Sequence, residues 1–136
     1  MAVVERAWCV VVPHHARGAQ LARHRLTAEL AGVIPAHLLA DVVAVTAELV
    51  GNAVRHADPL PGGVVRVAWR LRSGEVEVRV TDGGAESSAP HIRDARIDDP
   101  DGRGLTIVAA LANRWGVERD GLGQSVWARL SAPQLP

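Results

Sequence analysis

Three polar residues, Glu48, Asn52 and His56, recur at every fourth position of the segment ELVGNAVRHA. On an α-helix this spacing places the three side chains on one face, bordered here by apolar residues. A carboxylate and a carboxamide one turn apart suit magnesium, because this ion prefers oxygen ligands and is usually completed by water and substrate phosphates. Asn52 would then ligate the ion while Glu48 takes the proton from an attacking hydroxyl. Considered alone, the same stripe also fits a helix face that simply meets solvent.

Two glycine-containing motifs follow this stripe along the chain. In VTDGG, residues 80–84, a strand pattern runs into two glycines, so the backbone can approach a planar ligand while Asp82 accepts a hydrogen bond from an exocyclic amine. In DGRGL, residues 101–105, glycines open a helix pattern, whose free N–H groups and positive dipole end favour phosphate. Taken singly, an ordinary turn explains the first motif and a loop-to-helix junction explains the second.

The composition excludes several other classes of site. With 15 basic and 15 acidic residues, the chain offers no global electrostatic case for direct binding to nucleic acid or to an anionic membrane. Every basic residue is arginine, whereas a P-loop requires a lysine whose amine reaches the phosphates. Cys9 is the only cysteine, which excludes an internal disulfide, and its apolar neighbours predict that it is buried.

The start of the chain does not resemble a signal peptide. It contains acidic Glu5 and a short apolar run that ends at Pro13, and no apolar stretch in the sequence approaches about 20 residues. We therefore expect a soluble, cytoplasmic protein that does not cross a membrane.

Hydrophobic periodicity predicts the elements that must position these motifs. The apolar run at 7–12 indicates a strand that is either buried on both faces or at a sheet edge, and a helix follows over 14–31. A second helix, from 35 to 57, carries the polar stripe. Period-two alternation over 64–72 and 75–81 then predicts an antiparallel hairpin with one face on a core.

The second half of the chain begins with a long loop. Residues 83–104 have no sustained periodicity, and a helix is predicted over 105–112. A second hairpin is predicted from strands at 115–119 and 124–130, which flank a glycine-containing turn. Four tryptophans fall on predicted strands, where we expect them in the core: Trp8, Trp69, Trp115 and Trp127.

The order βααββ, loop, αββ predicts an α+β fold. Helices segregated from strands in this way form a two-layer sandwich, with the helices on one face of a mainly antiparallel sheet. A chain of 136 residues can bury one core, so we expect residues 1–136 to form a single domain.

In their order and spacing, the three motifs resemble those of one superfamily. ELVGNAVRHA at 48–57 resembles the N box of the gyrase, histidine-kinase and MutL (GHKL) ATPases. VTDGG at 80–84 resembles their first glycine box and GRGLTIV at 102–108 the second. The chain looks most like bacterial anti-sigma-factor serine/threonine kinases and their actinobacterial relatives. This resemblance covers nearly the whole chain and implies a histidine-kinase-like ATPase sandwich that binds ATP under a lid at about 85–102.

The resemblance assigns roles to the residues of the N box and to the terminal hairpin. Glu48 would be the catalytic base and Asn52 the magnesium ligand, while His56 occupies the position of the N-box histidine. Ser125 would lie near the adenine.

The glycine boxes would bind the rest of the nucleotide. Asp82 would accept a hydrogen bond from the adenine amine, and Gly84 would let the base approach. Gly102 and Gly104 would line the phosphates, together with the adjoining Leu105. Arg103 either reaches a phosphate or points outward.

As partners, the resemblance implies an anti-sigma-factor antagonist as the phosphorylated protein, and a sigma factor as a second partner. Members of the family often dimerise, so a homodimer is compatible with this interpretation. The alternative is a non-catalytic ATP-binding regulator that sequesters a partner, because residues 85–88, Ala-Glu-Ser-Ser, stand where the first glycine box usually has another glycine. A two-component histidine kinase would need a phosphoacceptor helix, for which we expect no room in 136 residues.

Overall fold

The structure, a computed structural model, describes residues 5–84, 103–121 and 123–132. In this part of the chain five strands form one sheet with the order β1-β2-β3-β5-β4, and three helices pack on it. The strands are β1 (Glu5–Pro13), β2 (Val64–Arg72), β3 (Glu75–Asp82), β4 (Arg114–Arg119) and β5 (Gln124–Ser131). The helices are α1 (Ala16–Leu30), α2 (Ala36–His56) and α3 (Arg103–Leu111). This order confirms the prediction, while the predicted lid at 85–102 lies outside the described residues.

All neighbouring strands of this sheet are antiparallel, and the sheet has one apolar and one charged face. Successive residues of a strand point to opposite faces, so β2 buries Val65, Val67 and Trp69 while Arg66 and Arg70 are exposed. We call the buried side, which packs on the helices, the inner face and the other side the outer face. This arrangement confirms the predicted α+β sandwich.

Helix α2 lies at the centre of the helical layer, where it packs against α1, α3 and the sheet. Its predicted apolar stripe is buried throughout, since Leu38, Val42, Val45, Leu49 and Ala53 are each at most 4% exposed. The hydroxyl of buried Thr46 donates to the carbonyl oxygen of Val42 at 2.8 Å and lies 3.5 Å from the indole nitrogen of Trp69 on β2. The helix that carries the polar stripe is therefore fixed to the inner face of the sheet.

By length and composition alone, α2 is also apolar enough to cross a membrane, with a mean hydropathy of 1.4. The helix reaches this average although Asp41 and Glu48 interrupt its apolar residues. The physical reason is its central position: a helix with neighbours on several sides is apolar around much of its circumference. Its buried stripe belongs to the core formed with the sheet, so the composition is explained by packing within the protein.

The outer face carries ion pairs and one tryptophan. Arg79 pairs with Glu118 at 2.6 Å, and Arg129 pairs with Glu77 at 3.0 Å. The guanidinium of Arg129 also lies 4.9 Å from the ring centroid of Trp127, a distance typical of a cation–π contact. The prediction that every tryptophan lies in the core is thus wrong for Trp127, whose strand position points outward.

Strand β1 is at the edge of the sheet, which decides between the two alternatives left by its apolar sequence. Val12 is buried, but Cys9 is exposed, so the expectation of a buried thiol was wrong. An edge strand still alternates between two faces, and an unbroken apolar run gives no sign of which residues face outward.

The core predicts a large difference between two leucines of α1. Leu26 is fully buried whereas Leu21 is 49% exposed, although both lie on the same helix. We expect Leu26→Ala to lower the free energy of unfolding by about 2–5 kcal/mol because it leaves a cavity. Leu21→Ala, the matched control, should change it by less than about 0.5 kcal/mol. Urea unfolding measures both, and equal effects would contradict the described packing of α1.

Candidate nucleotide site

The polar stripe lies on the C-terminal half of α2. Glu48 and Asn52 are partly exposed, and His56 is the exposed last residue of the helix. Their neighbours Leu49 and Ala53 are buried in the core, so the stripe borders the buried side of the helix. The three predicted side chains therefore share one side of α2.

Asn52 is engaged by a residue that the sequence analysis did not consider. The guanidinium of Arg55 donates a hydrogen bond from Nη2 to Asn52 Oδ1 at 2.9 Å. Gly51 leaves space for this arrangement, because a Cβ at this position would lie 2.9 Å from Arg55 Nη1. The oxygen predicted to bind magnesium thus accepts a hydrogen bond from Arg55 in this structure.

Asp82 ends β3 and is a buried acidic residue, at 3% exposure. It lies on the inner face in line with three buried valines of β3, and its Oδ1 accepts a hydrogen bond from the Gly84 N–H at 2.7 Å. Burial raises the pKa of Asp82 to about 6, against the lowering effects of the Gly84 hydrogen bond and the charge of His14. The nearby carboxylate of Asp58 contributes to the increase in this pKa.

A pair of backbone hydrogen bonds joins the end of α2 to the end of β3. The Asp58 N–H donates to the Gly84 carbonyl at 2.9 Å, and the Gly83 N–H donates to the Asp58 carbonyl at 2.8 Å. A Cβ at Gly83 would collide with the carbonyl oxygen of Pro59, and Gly84 has a φ of +73°, which favours glycine. The two glycines of the motif are therefore required for this contact, which we call the helix–strand clamp.

His14, at the start of the β1–α1 connection, secures the same end of α2. Its Nε2 lies 2.8 Å from the Ala57 carbonyl oxygen and 3.1 Å from that of Ala53. Carbonyl oxygens only accept hydrogen bonds, so this ring nitrogen is the donor. The last carbonyls of a helix otherwise lack partners, and His14 supplies one from a distant part of the chain.

The terminal hairpin contributes Gln124 to the site, a residue that the sequence analysis missed. Gln124 pairs directly with Asp82 between β5 and β3, is 3% exposed and lies on the same inner face. The preceding Gly123 allows the strands to approach, since a Cβ there would collide with the Asp82 carbonyl oxygen. The phase of the buried residues Ala128 and Leu130 on β5 would have indicated that position 124 also points inward.

Ser125 instead faces away from Asp82. It pairs with Thr81, and the two hydroxyl oxygens are 2.7 Å apart on the outer side of the sheet. The side chain of Ser125 therefore lies on the face opposite to that of Asp82, because adjacent residues of a strand point to opposite faces. Its role near the base remains a prediction.

The second glycine box opens α3, which begins at Arg103 and packs against α2. Leu105 is 9% exposed and belongs to the core, so its side chain anchors the first turn of α3. Gly102 lies outside the described residues. The roles of Arg103 and Gly104 at a phosphate remain predictions, supported by their place at a helix N-terminus.

Comparison with known proteins supports the resemblance of the motifs. Residues 12–130 match the family model of the histidine kinase-like ATPase domain. No curated protein matches the chain. A solved structure, the RsbU and RsbW domains of Rv1364c from Mycobacterium tuberculosis, is similar with a TM-score of 0.69 and 21% sequence identity. The similarity covers 93% of this chain but only 32% of that one, and at this identity it establishes the fold.

The raised pKa of Asp82 predicts a pH-dependent stability difference from Asp82→Asn. The folded protein holds this proton more tightly than the unfolded chain, whose carboxyl has the ordinary pKa of 3.8. The resulting stabilisation is complete below pH 3.8 and is lost as pH rises through about 6. The asparagine variant lacks this loss and keeps an oxygen for the Gly84 N–H. As pH rises from 4 to 7.5, the unfolding free energy of the variant minus that of the wild type should therefore increase by about 1–3 kcal/mol.

Urea unfolding of both proteins without nucleotide at several pH values measures this difference. Because the two proteins share every other titratable group, parallel pH profiles would show that Asp82 is not buried as a carboxyl group.

Proposed function

The chain belongs to the family of histidine kinase-like ATPase domains, and we propose that it binds ATP with magnesium and phosphorylates a serine or threonine of a small protein partner. The observation that carries this proposal is the buried carboxyl of Asp82, held beside two glycines by the helix–strand clamp. Ionising a buried carboxyl is unfavourable, and such groups are concentrated at functional sites.

The base of ATP would bind at Asp82. This carboxylate already accepts the Gly84 N–H on Oδ1 and has acceptor capacity left for an exocyclic amine. Gly84, which has no side chain, lets a planar ring approach the end of β3.

The phosphates and the metal would bind between α2 and the start of α3. Asn52 and Glu48 provide oxygen donors on one side of α2, which suits magnesium. Magnesium, when bound, would neutralise charge on the phosphates. Arg103, Gly104 and Leu105 would bring N–H groups of the first turn of α3 to the phosphates, with Gly102 before them.

The reaction itself would depend on Glu48. It would accept the proton from the partner's hydroxyl as that oxygen attacks the terminal phosphoryl group of ATP. The bond from that phosphorus to the bridging oxygen would break, and ADP would leave. His56, one turn beyond Asn52, would lie on the same side of α2 as Glu48 and Asn52. We infer that the partner is an anti-sigma-factor antagonist and that the chain acts in the cytoplasm, with a sigma factor as its second partner.

A second candidate function is supported by the hydrogen bond between Arg55 and Asn52. If the guanidinium keeps Asn52 Oδ1 when nucleotide binds, the chain retains an ATP site without a complete metal site. It would then be a regulator that sequesters its partner without phosphorylating it.

Nucleotide binding predicts a stabilisation that depends on the site residues. At a concentration of about 100 times the dissociation constant, magnesium-ATP should stabilise the wild type by ~2.7 kcal/mol. Asp82→Ala should abolish this stabilisation, whereas Asn52→Ala should abolish only the part that requires magnesium. Thermal melting with ATP, with and without magnesium, tests both, and Glu29→Gln on α1 is a control that should melt like the wild type. A wild type whose melting temperature does not respond to ATP would refute the proposal.

The kinase reaction predicts that Glu48→Gln separates binding from transfer. The amide cannot accept the hydroxyl proton, so phosphorylation should slow by about 10²–10⁴-fold while the ATP affinity stays close to that of the wild type. Phosphoserine and phosphothreonine formation on purified antagonist proteins, compared with Glu29→Gln, measures this effect. ATP binding without transfer by the wild type would instead favour the sequestering regulator.

A further inference from the structure

Gln124 has a buried side-chain oxygen to which none of the described residues donates a hydrogen bond. The residue is 3% exposed, and its Oε1 has no hydrogen-bond partner in the part of the chain that the structure describes. More than about 90% of buried polar groups in proteins have a partner, and leaving one without costs about 1–3 kcal/mol. An apolar residue would fill this position without that penalty, so the amide calls for another explanation.

The position of Gln124 relative to Asp82 supplies one. The two residues lie directly opposite each other in the antiparallel pairing of β3 with β5, and both point to the inner face. Side chains in such pairs start from Cβ atoms about 4.5–5.5 Å apart. A carboxylate and an amide oxygen thus lie side by side at one end of the sheet, and both are hydrogen-bond acceptors.

Glycines flank this pair on both strands. A Cβ at Gly84 would lie 4.0 Å from the Cβ of Gln124, and a Cβ at Gly123 would collide with the Asp82 carbonyl oxygen. Neither flanking residue therefore places a side chain over Asp82 or Gln124, which keeps both within reach of a flat group bound at this end of the sheet.

We propose that Gln124 is a specificity-determining residue that reads the 6-amino group and N7 of adenine together with Asp82; the inference rests on the proposed function. The amine of adenine has two N–H bonds, which matches two adjacent acceptors. Asp82 takes the hydrogen on the N1 side, and Gln124 Oε1 takes the hydrogen on the N7 side. The amide nitrogen of Gln124 then donates to N7, a two-bond pattern by which glutamine recognises adenine in other complexes.

This arrangement excludes guanine for an electrostatic reason. Guanine has a carbonyl oxygen at the 6-position, which would face the oxygens of Asp82 and Gln124 without a hydrogen between them. Asp82 alone offers a single acceptor group for the amine, so Gln124 adds a second contact and makes the site depend on N7 as well.

The test compares nucleotide affinities of the wild type, Gln124→Met and the control Gln20→Met, an exposed glutamine on α1. The ligands, all with magnesium, are ATP, GTP, 7-deaza-ATP and purine riboside triphosphate, which lacks the 6-amine. The wild type should bind ATP about three- to tenfold more tightly than 7-deaza-ATP, since one hydrogen bond is lost. Gln124→Met should weaken ATP binding by a similar factor, bind ATP and 7-deaza-ATP equally, and narrow the ratio between ATP and purine riboside triphosphate. The control should keep all wild-type ratios.

A purely structural role for Gln124 gives a different result. The variant would then lose affinity for all four nucleotides by the same factor, and the inference would be overturned. Equal wild-type affinities for ATP and 7-deaza-ATP would also overturn it, and this comparison does not depend on whether the variant folds. A wild type that binds none of these nucleotides would refute the proposed function itself. Under the proposal, Gln124→Met without nucleotide should melt at or above the wild-type temperature, because an unpaired buried amide has been removed.

Discussion

The helix–strand clamp is the contact on which the geometry of the site depends. Asp58 exchanges backbone hydrogen bonds with Gly83 and Gly84 at 2.8 and 2.9 Å, immediately after α2 ends and β3 ends. These bonds fix the distance between the polar stripe of α2 and the carboxyl group of Asp82. A nucleotide has its base and its phosphates at a set separation, so a protein that binds both ends must hold the corresponding residues on rigid elements. Glycine at 83 is the condition for this contact, because any side chain would meet the Pro59 carbonyl.

At the same end of the sheet, polar residues occupy core positions, which lowers the stability of the folded protein there. Val76, Val78 and Val80 of β3 are at most 2% exposed and purely apolar, yet the strand ends in a buried carboxyl group. The paired position on β5 is Gln124, another buried polar residue. Proteins usually break the rules of core packing where they bind or react, and two such exceptions facing each other mark one site.

Much of this arrangement follows from sequence periodicity, and the exceptions have physical causes. The helical stripe of α2 and the alternation of β2 and β3 were predictable because each element buries one face against the core. Strand periodicity predicted the terminal hairpin, but the motif resemblance named Ser125 and did not indicate that Gln124 faces the core beside Asp82. Cys9 was predicted to be buried but is exposed, because an unbroken apolar run does not indicate which of its residues face outward. The bond from Arg55 to Asn52 depends on the rotamer of a long exposed side chain, which spacing does not determine.

The contact between Trp69 and Thr46 gives the protein an optical property. The chain has four tryptophans and no tyrosine, so indole rings alone account for its aromatic emission. Trp69 is 2% exposed, and its ring nitrogen lies 3.5 Å from a hydroxyl of α2, the helix that carries Glu48 and Asn52. Trp127 is only partly buried, on the outer face beneath a guanidinium. Replacing Trp127 would leave emission from buried Trp69 and from Trp8 and Trp115, which are partly buried against the core. Through the contact of Trp69 with Thr46, the emission wavelength of that variant would respond to how closely α2 packs on the sheet.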